Sequence, residues 1–486
     1  MKRRTLKVRR LPNRLAGDPA RVIVRPFLPG AIDRVSSITD RLAKLSDQEV
    51  GRLLSKVLTS FGSRHRDIQS VLLRHYQRVR PHLDGRAPDS LARRLLIGSC
   101  VTSEYSLESV ALFNPSIVEH PDQSGLAPGA VRFVMSVRAC GEGHISSIEF
   151  RSGIVQPGGK IDFDPVAPTA TPALPVEDRL YGREAFLQKL SEMHARHSFE
   201  QRLVGSLGET FTFDQLRAAI DGVRAQFAGI DKFDEQAKDV LWLARSNYHL
   251  DFPPESDLSE RVIFPVTENE SRGIEDARFV RFIEPDGRSA YYATYTAYND
   301  VRILPQLIHT EDFLHFEIHT LNGCSAQNKG MALFPRRING KYCMVARLDG
   351  ENLFLLRSDN VYYWDEAVPL CRPTLAWEVV QIGNCGSPLE TDAGWLLLTH
   401  GVGPMRQYWI GALLLDRDAP TTVLGHLEKP LLAPRASERD GYVPNVVYSC
   451  GAMIHHDTLI IPYGVADTYT RIATVPLPDL LAHLKS

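Results

Sequence analysis

The sequence has few cysteines, and none of them are paired. Its 486 residues include 7 Cys, and no two are separated by the two residues typical of a zinc ribbon or a redox pair. The cysteines are scattered along the chain and their number is odd. Disulfide frameworks and structural zinc sites need clustered or matched spacings, so we expect buried, reduced thiols in a cytoplasmic protein.

The chain also lacks long apolar runs and an excess of charge of one sign. No apolar run approaches the roughly 18 residues of a membrane span, and the basic start MKRRTLKVRRLPNR lacks the apolar core of a secretory signal. Lys+Arg 56 against Asp+Glu 58 gives a net charge of -2, which argues against a dedicated nucleic-acid binder. We expect the basic start to be a solvated arm, with an oligomer contact or a docking segment as the alternative.

Helical patterns are present before residue 100. Ser46 is followed three residues later by Glu49, the spacing of a capping box at a helix start. Apolar residues then recur every three or four positions, and Asp89 is a candidate cap for a later helix. We interpret residues 1–100 as an N-terminal helical extension and as a candidate contact in a homo-oligomer.

From about residue 105 the pattern changes to short alternating strands bounded by Gly, Asn and Asp. Five segments share a turn, an alternating apolar strand and polar residues at the strand exit. They begin at Gly129, Gly287, Asn339, Ala393 and His456. From the second onward they recur at about 50–60 residues, a period typical of propeller blades. We therefore predict a mainly β chain with a five-bladed β-propeller over residues 101–486, in which residues 176–245 form a helical insertion.

Polar residues follow these strands at their exits. The inner strands of a propeller end at one rim, so the exit residues are predicted to surround an axial pocket. They are Arg138, His144, Tyr295, Tyr298, Asp300, Arg347, Asp349, His400, Tyr463 and Asp467.

The densest polar cluster lies in the stretch ESRGIEDARFV. Adjacent residues of a regular strand point to opposite faces, so Glu275 and Asp276 are not expected to reach the same substrate atom. One carboxylate then faces the pocket while the other pairs with Arg272 or Arg278. The alternative is a surface or interblade ion pair without a role in chemistry.

Several motifs in a fixed order resemble one enzyme family. They are GIEDARFV, YYATYTAY, NKGMALFPRRINGKY, GWLLLTHG and ERDGYVPNVVYSCGAMIHHDTLIIPYGVAD, preceded by LFNPSIV with Asn114 and Ser116. Together they resemble glycoside hydrolase family 130, the β-mannoside phosphorylases and related hydrolases. The resemblance runs from about residue 105 to the C-terminus, outside residues 176–245. Ala277 stands where many members have Pro.

The resemblance implies a fold, an activity and a catalytic residue. The family fold is a five-bladed β-propeller, and its catalytic acid corresponds to Asp276 here. In the family this acid protonates the glycosidic oxygen through a mannosyl hydroxyl, while inorganic phosphate attacks the anomeric carbon and gives α-mannose 1-phosphate. The implied protein is an inverting phosphorylase that uses a β-mannoside di- or oligosaccharide, inorganic phosphate as co-substrate and no cofactor or metal.

Phosphate use is also testable against the side chains present. An inverting hydrolase needs two carboxyl groups about 6.5–9.5 Å apart, whereas phosphate is already a charged nucleophile and needs an acid and nearby cations. The candidate phosphate ligands are Lys329, Arg347, His400 and Arg138. Three alternatives stay open: Lys329 as a solvated lysine, Arg347 paired with Asp349, and His400 as a hydrogen-bonded rim histidine.

Sugar binding needs hydroxyl partners and an apolar platform, for which Tyr298 or Tyr463 could stack. The candidate sugar ligands are Asn114, Ser116, Glu275, Arg278, Tyr298, Asn328, Tyr463 and Asp467. The stretch WEVVQIGNCGSPLETDAGW departs from the pattern of family phosphorylases, so the linkage and acceptor sugar stay open. A β-mannoside hydrolase and a non-catalytic carbohydrate-binding propeller are the alternative functions.

Overall fold

A computed structural model describes residues 6–28, 30, 33–83, 88, 90–176, 180–193, 203–224, 233–299 and 303–485. Strands predominate over helices, as the sequence predicts. None of the helices in these ranges is long and apolar enough to cross a membrane.

Among the described residues before position 101 there are four α-helices, in the region where the sequence predicts helices. They are α1 (Asp33–Ala43), α2 (Asp47–Phe61), α3 (Ile68–Val79) and α4 (Leu91–Cys100). The predicted capping box is confirmed at α2, because the Ser46 side chain accepts from the Glu49 amide and the Glu49 carboxylate accepts from the Ser46 amide. The proposed cap Asp89 lies outside the described residues.

Helices also lie in the described parts of residues 176–245, the segment for which the sequence predicts a helical insertion. It contains α5 (Arg183–Met193), α6 (Phe213–Arg224) and α7 (Phe233–Arg245). These helices bury a small apolar core of their own around Phe186, Phe211 and Leu216. A last helix, α8 (Leu477–Leu484), follows the final strand.

Strands occur throughout the rest of the chain. The first three are β1 (Arg9–Ala16), β2 (Val22–Pro26) and β3 (Thr102–Ser106). Then come β4 (Ala111–Glu119), β5 (Val131–Cys140), β6 (Ser146–Val155), β7 (Ile161–Phe163), β8 (Thr171–Pro172), β9 (Leu174–Val176), β10 (Leu180–Gly182), β11 (Thr210–Thr212), β12 (Tyr248–Asp251) and β13 (Arg261–Ile263). The next eight are β14 (Gly273–Ile283), β15 (Ser289–Tyr298), β16 (Ile303–Thr310), β17 (His315–Thr320), β18 (Lys329–Leu333), β19 (Tyr342–Arg347), β20 (Leu353–Ser358) and β21 (Glu366–Cys371). The last are β22 (Gln381–Asn384), β23 (Leu389–Thr391), β24 (Gly394–Val402), β25 (Tyr408–Leu415), β26 (Val423–His426), β27 (Val447–Tyr448), β28 (Met453–His455), β29 (Thr458–Val465) and β30 (Tyr469–Pro476).

Most of these strands form five antiparallel units. In order of pairing, unit one is β4-β5-β6-β7, unit two β14-β15-β16-β17, unit three β18-β19-β20-β21, unit four β22-β24-β25-β26 and unit five β27-β29-β30-β1. The five segments singled out in the sequence supply the second strand of each unit. One parallel pair, Gly273 with Ser146, joins units one and two into a single larger sheet.

From Arg9 onward the basic N-terminal segment is a strand, so the prediction of a solvated arm is wrong there. Strand β1 pairs with β30, from Arg9 opposite Thr474 to Ala16 opposite Tyr469, and so completes unit five with residues from the opposite end of the chain. Arg9 lies on the exposed side of β1, whereas Leu11 is buried among apolar residues of units one and five. The extension of residues 1–100 is therefore not purely helical.

Removing the Leu11 side chain tests this role of β1. We expect Leu11→Ala to lower the free energy of unfolding by about 2–5 kcal/mol, because it leaves a cavity in a packed core. Arg9→Ala changes an exposed residue of the same strand and should stay within about 0.5 kcal/mol. Urea denaturation of both variants measures the difference. Equal stabilities would contradict the assignment of β1 to the core.

The first strands of units one to four lie side by side. Strand β4 contacts β14, β14 contacts β18 and β18 contacts β22, and in unit five strand β29 contacts β4. Pairing is interrupted near one end of three of them, at a register shift between Phe113 and Ser116, between Glu275 and Arg278, and between Lys329 and Ala332. Such bulges re-aim side chains, and here they lie next to one cavity.

Candidate active site

A cavity of about 310 Å³ lies beside these bulges and receives side chains from all five units. Unit one supplies Asn114 and Arg138; unit two Glu275, Asp276 and Arg278; unit three Lys329 and Arg347; unit four Asn384, His400, Arg406 and Tyr408; and unit five Tyr448 and Asp467. Nine of the site residues predicted from the sequence therefore meet in one place.

The expectation that Glu275 and Asp276 face opposite ways is wrong. Both line the cavity, and Arg138 reaches both, with its Nη2 3.0 Å from Glu275 Oε1 and its Nη1 3.5 Å from Asp276 Oδ1. The reason is the bulge, because Asp276 adopts a left-handed conformation with φ of 57°. This conformation breaks the strict alternation on which the expectation was based.

Asp276 is held as a carboxylate. Asn114 Nδ2 donates to Asp276 Oδ1 at 2.7 Å, and the guanidinium groups of Arg138 and Arg278 lie nearby. Burial by itself would raise the pKa of Asp276. The opposing effects of Arg138, Arg278 and the Asn114 hydrogen bond are larger together, and they hold the pKa of this carboxyl below its usual value.

Glu275 connects two of the predicted phosphate ligands. Lys329 Nζ lies 2.6 Å from Glu275 Oε2, and Arg138 occupies the other carboxylate oxygen. The interpretation of Lys329 as a solvated lysine is therefore wrong. Because one carboxylate holds both cations, the ammonium and guanidinium groups are fixed on one side of Asp276 before any ligand arrives.

The buried residue Arg278 stabilises the bulge of strand β14 at Asp276. Its side chain is only 2% exposed, and it donates to the Asp276 carbonyl at 2.9 Å and to the Tyr448 hydroxyl at 2.7 Å. The bond to Tyr448 joins the carboxylate-bearing strand of unit two to unit five. Arg278 thus borders the cavity while its hydrogen bonds are used on the protein.

Arg347 is a cation without an anion. In the part of the chain that the structure describes, no carboxylate oxygen lies within 4 Å of its guanidinium nitrogens, although the side chain lines the cavity. The alternative of a pair with Asp349 is wrong, because the Asp349 carboxylate instead accepts from the amides of Glu351 and Asn352. Arg347 is free to bind an external anion.

His400 lines the cavity, but the prediction that it is a cation is wrong. Burial, and then the nearby Arg347 and Arg278, lower the pKa of His400 to about 3, so the ring is neutral at pH 7. Its Nδ1 lies 3.2 Å from the Asn384 carbonyl, which can only accept, so Nδ1 carries the proton. The other ring nitrogen, Nε2, is then an acceptor.

Asp467 is a third carboxyl of the cavity, and its pKa shifts in the opposite direction to that of Asp276. It follows strand β29 in a left-handed conformation with φ of 49°. Burial and the charge of Asp276 raise the pKa of Asp467 to about 6, despite Arg138 and Arg406 nearby. The cavity therefore holds two carboxyl groups whose proton affinities are pushed apart, a pattern typical of catalytic sites.

Four predicted sugar ligands do not line the cavity. Ser116 is fully buried, and its hydroxyl accepts from the Phe279 amide at 3.0 Å, so it joins strands β4 and β14. Tyr463 is also fully buried and donates to Glu438 at 2.9 Å, which rules out stacking on a sugar.

The other two are close to cavity residues. Asn328 accepts from the Lys329 amide and donates to the Leu348 carbonyl, so it shapes the loop before β18. The Tyr298 ring lies 5.7 Å from Lys329 Nζ. The exit residue Asp300 lies outside the described residues.

Sequence reasoning missed several residues of the cavity. Tyr448 and Asn384 are the last residues of the first strands of units five and four, so comparing the first strands of the repeats would have pointed to them. Arg406 lies in the turn between β24 and β25, and Tyr408 begins β25. Neither is marked by a pattern in the sequence.

Removing the amide of Asn114 tests the electrostatics of Asp276. We expect Asn114→Gly, which tolerates the left-handed backbone at this position, to raise the pKa of Asp276 by about 1–2 units, since a hydrogen bond to a charged group contributes about 1.5–3 kcal/mol. If Asp276 acts as an acid, activity then persists to higher pH. Asn339→Gly, a left-handed asparagine in a distant turn, is the control. A pH–rate profile unchanged from that of the control would contradict the role of Asn114.

The cavity holds a carboxyl acid, Asp276, among cations, and one of these, Arg347, has no carboxylate partner in the described residues. This arrangement defines a site where an acid assists the transfer of a group to an anionic acceptor. Comparison with known proteins gives the family. A family model described as beta-1,4-mannooligosaccharide phosphorylase, that of glycoside hydrolase family 130, matches residues 254–486. The 1,2-beta-oligomannan phosphorylase of Thermoanaerobacter sp. (strain X514) is 34% identical over 230 residues, which are 46% of this chain and 75% of that protein. The chain belongs to this family.

Other relatives have similar names. The beta-1,2-mannobiose phosphorylase of Listeria innocua is 31% identical over 231 residues, which are 46% of this chain and 63% of that protein. The solved structure of a beta-1,2-mannobiose phosphorylase from Listeria innocua, in complex with beta-1,2-mannobiose, has 22% sequence identity and a TM-score of 0.47, and the match covers 78% of this chain and 93% of that one.

Proposed function

We propose that this protein is an inverting phosphorylase of β-mannosides, which cleaves a β-linked mannosyl di- or oligosaccharide with inorganic phosphate. The observation that carries the proposal is the grouping of one carboxyl acid, Asp276, with Arg138, Lys329 and the anion-free Arg347. The names of the family relatives, which are phosphorylases of β-mannosides, support the substrate class.

The proposed step exchanges one bond at the anomeric carbon for another. A phosphate oxygen attacks this carbon from the side opposite the leaving group, and the electron pair of the breaking bond passes to the glycosidic oxygen. That oxygen takes a proton originating from Asp276, carried by a mannosyl hydroxyl as the family resemblance implies. The products are α-mannose 1-phosphate and the shortened sugar, and Asp276 regains its proton from water.

Phosphate itself prepares the acid for this step. In the free site the cations keep Asp276 ionised, which is the wrong state for a proton donor. A bound phosphate dianion places negative charge beside Arg347 and Lys329, offsets their field and raises the pKa of Asp276. Asp276 is therefore protonated, and able to donate, mainly when phosphate is bound. This coupling disfavours hydrolysis when the sugar binds without phosphate.

The remaining cavity groups fit the recognition of sugar and phosphate. His400 offers a neutral Nε2 acceptor, suited to the acidic proton of a phosphate oxygen or to a sugar hydroxyl. Asp467, with its pKa near 6, can be a protonated hydrogen-bond donor or an ionised acceptor at the pH where the enzyme would work. Glu275 holds Arg138 and Lys329 in place and is a positioning residue in this account.

The fold, the cellular location and the oligomeric contacts are also part of this proposal. The five antiparallel units would be the blades of a propeller whose axis carries the cavity. A cytoplasmic location fits a reaction whose sugar phosphate product stays inside a cell. The helical segments remain candidate contacts of a homo-oligomer.

Hydrolysis is the second candidate, and Asp467 is the observation in its favour. An inverting hydrolase needs a second carboxyl to activate water, and Asp467 shares the cavity with Asp276. Three cations around the acid favour phosphate over water as the nucleophile.

Synthesis from the sugar phosphate tests the proposal. The purified protein is incubated with α-mannose 1-phosphate and a panel of acceptors, including mannose, glucose and β-mannobioses of different linkage, and released phosphate is measured. We expect phosphate release that requires one class of acceptor and yields a β-linked product. Phosphate release that is independent of every acceptor, or none at all, would contradict it.

A further inference from the structure

A second cleft, of about 670 Å³, is larger than the catalytic cavity and lies between the N-terminal extension and the chain around β8 and β9. One wall is helix α3 with strand β2, and the other is the chain around β8 and the residues Phe264–Val266. Helix α3 and β2 lie outside residues 254–486, which the family model matches. Its volume falls in the range of about 300–1,000 Å³ that small-molecule sites occupy.

The cleft concentrates positive charge that the protein does not neutralise. Arg25, Arg74 and Arg78 line it, and none of them lies within 4 Å of a carboxylate oxygen in the residues that the structure describes. The lining carboxylates are used elsewhere, because Asp67 caps helix α3 and Glu255 pairs with Arg66.

Arg74 and Arg78 are one turn apart on α3, so their guanidinium groups share one face and repel each other. Together with burial they lower the pKa of the neighbouring His75 to about 4. This repulsion is unfavourable in the protein without a ligand, and an anion bound between the two guanidinium groups would relieve it.

Unpartnered polar atoms face the same cleft. His65 is only 5% exposed, and its Nε2 lies 2.7 Å from Glu104 Oε1, while its Nδ1 has no hydrogen-bond partner. Within the residues that the structure describes, the Thr171 hydroxyl is also without a partner. Both residues line the cleft, so they are candidate hydrogen-bond partners for a ligand there.

Another part of the wall is apolar. The Arg25 guanidinium stacks over the Phe264 ring with its central carbon 4.7 Å from the ring centroid, and Pro26, Val71 and Pro265 adjoin it. A stacked arginine–aromatic surface suits a sugar or base ring, and paired guanidinium forks suit phosphate oxygens.

We infer that this cleft binds a small phosphate monoester that carries a ring, such as a sugar phosphate or a nucleoside monophosphate. Its phosphate lies between Arg74 and Arg78, its ring lies against the Phe264 wall, and its polar substituents meet His65 and Thr171. The inference does not depend on the proposed phosphorolysis, because the catalytic cavity shares no residue with this cleft.

Isothermal titration calorimetry on the full chain tests the site with two probes, glucose 6-phosphate and AMP, in separate titrations. We expect saturable binding of at least one probe, and the one that binds identifies the source of the phosphate. The double variant Arg74→Gln/Arg78→Gln should weaken this binding at least about 10-fold, since each charged hydrogen bond contributes about 1.5–3 kcal/mol.

Two controls locate the site. Arg52→Gln/Lys56→Gln removes the same charges at the same spacing from exposed positions of α2, and Arg347→Gln changes the catalytic cavity; both should leave binding of the probe unchanged. Arg74 and Arg78 are exposed and unpaired, so the double variant should unfold at the same temperature as the parent protein. Absence of binding by both probes below 1 mM, or equal binding by the Arg74/Arg78 variant, would overturn the inference.

Discussion

Asp276→Asn should lower the turnover of a β-mannoside in the presence of phosphate by about 10²–10⁴-fold, the usual contribution of a general acid. The substitution keeps the shape of the side chain and removes its proton. It also suits the backbone, because Asn adopts the left-handed conformation of this residue more readily than most residues do. Asn114 can still donate to the new amide oxygen, so the cavity should keep its form.

The binding of substrate should survive this substitution. We expect the sugar to bind Asp276→Asn with an affinity within a few fold of the parent protein, measured by calorimetry without phosphate. Asp286→Asn, in the exposed turn between β14 and β15, is the matched control and should keep full activity. Turnover of Asp276→Asn within a few fold of the parent would rule out an acid role and favour a carbohydrate-binding protein.

Arg347→Gln should lower kcat/KM for phosphate by roughly 10- to 150-fold, because it removes charge-assisted hydrogen bonds of about 1.5–3 kcal/mol. Arg347 is the cation of the cavity that no carboxylate of the described chain neutralises, so its loss is not compensated from within the protein. The affinity for the sugar should change much less. Initial rates over a matrix of phosphate and sugar concentrations separate the two effects.

The control for charge is Arg357→Gln, in strand β20 of the same unit and away from the cavity. It removes the same charge from unit three and should leave the kinetics of phosphate unchanged. An equal loss in both variants would mean a general electrostatic effect. An unchanged kcat/KM for phosphate in Arg347→Gln would place the phosphate elsewhere.

The division into repeated units could be predicted because each unit begins with the same kind of hairpin. Gly287, Gly340 and Gly394 take positive φ angles at these turns, a conformation for which glycine is favoured, and their spacing marks the repeat. The capping box at Ser46 was predictable for a similar reason, since all of its hydrogen bonds are local.

Contacts between distant parts of the chain were not predictable. The pairing of β1 with β30 joins residues more than 450 positions apart, and the charges of the segment suggested solvent rather than a sheet. The arrangement of Glu275 and Asp276 depends on a bulge set by the neighbouring strands, which alternation of side chains does not reveal.

The residues near the cavity were easier to predict than their protonation states and the directions of their side chains. The sequence placed His400 at the site, but its charge depends on burial beside Arg347 and Arg278, which only the folded structure shows. Tyr463 followed the same pattern as the cavity residues, yet its strand turns the ring into the core, where it bonds to Glu438. An exit position therefore indicates proximity to the cavity and does not fix the direction of the side chain.

The most direct test of the proposed function is to follow the cleavage of β-mannobioses by ³¹P and ¹H NMR, with and without inorganic phosphate. The account predicts that α-mannose 1-phosphate accumulates only with phosphate, in equal amount to the released sugar. Formation of free mannose at the same rate in both samples, with no phosphate ester, would contradict it.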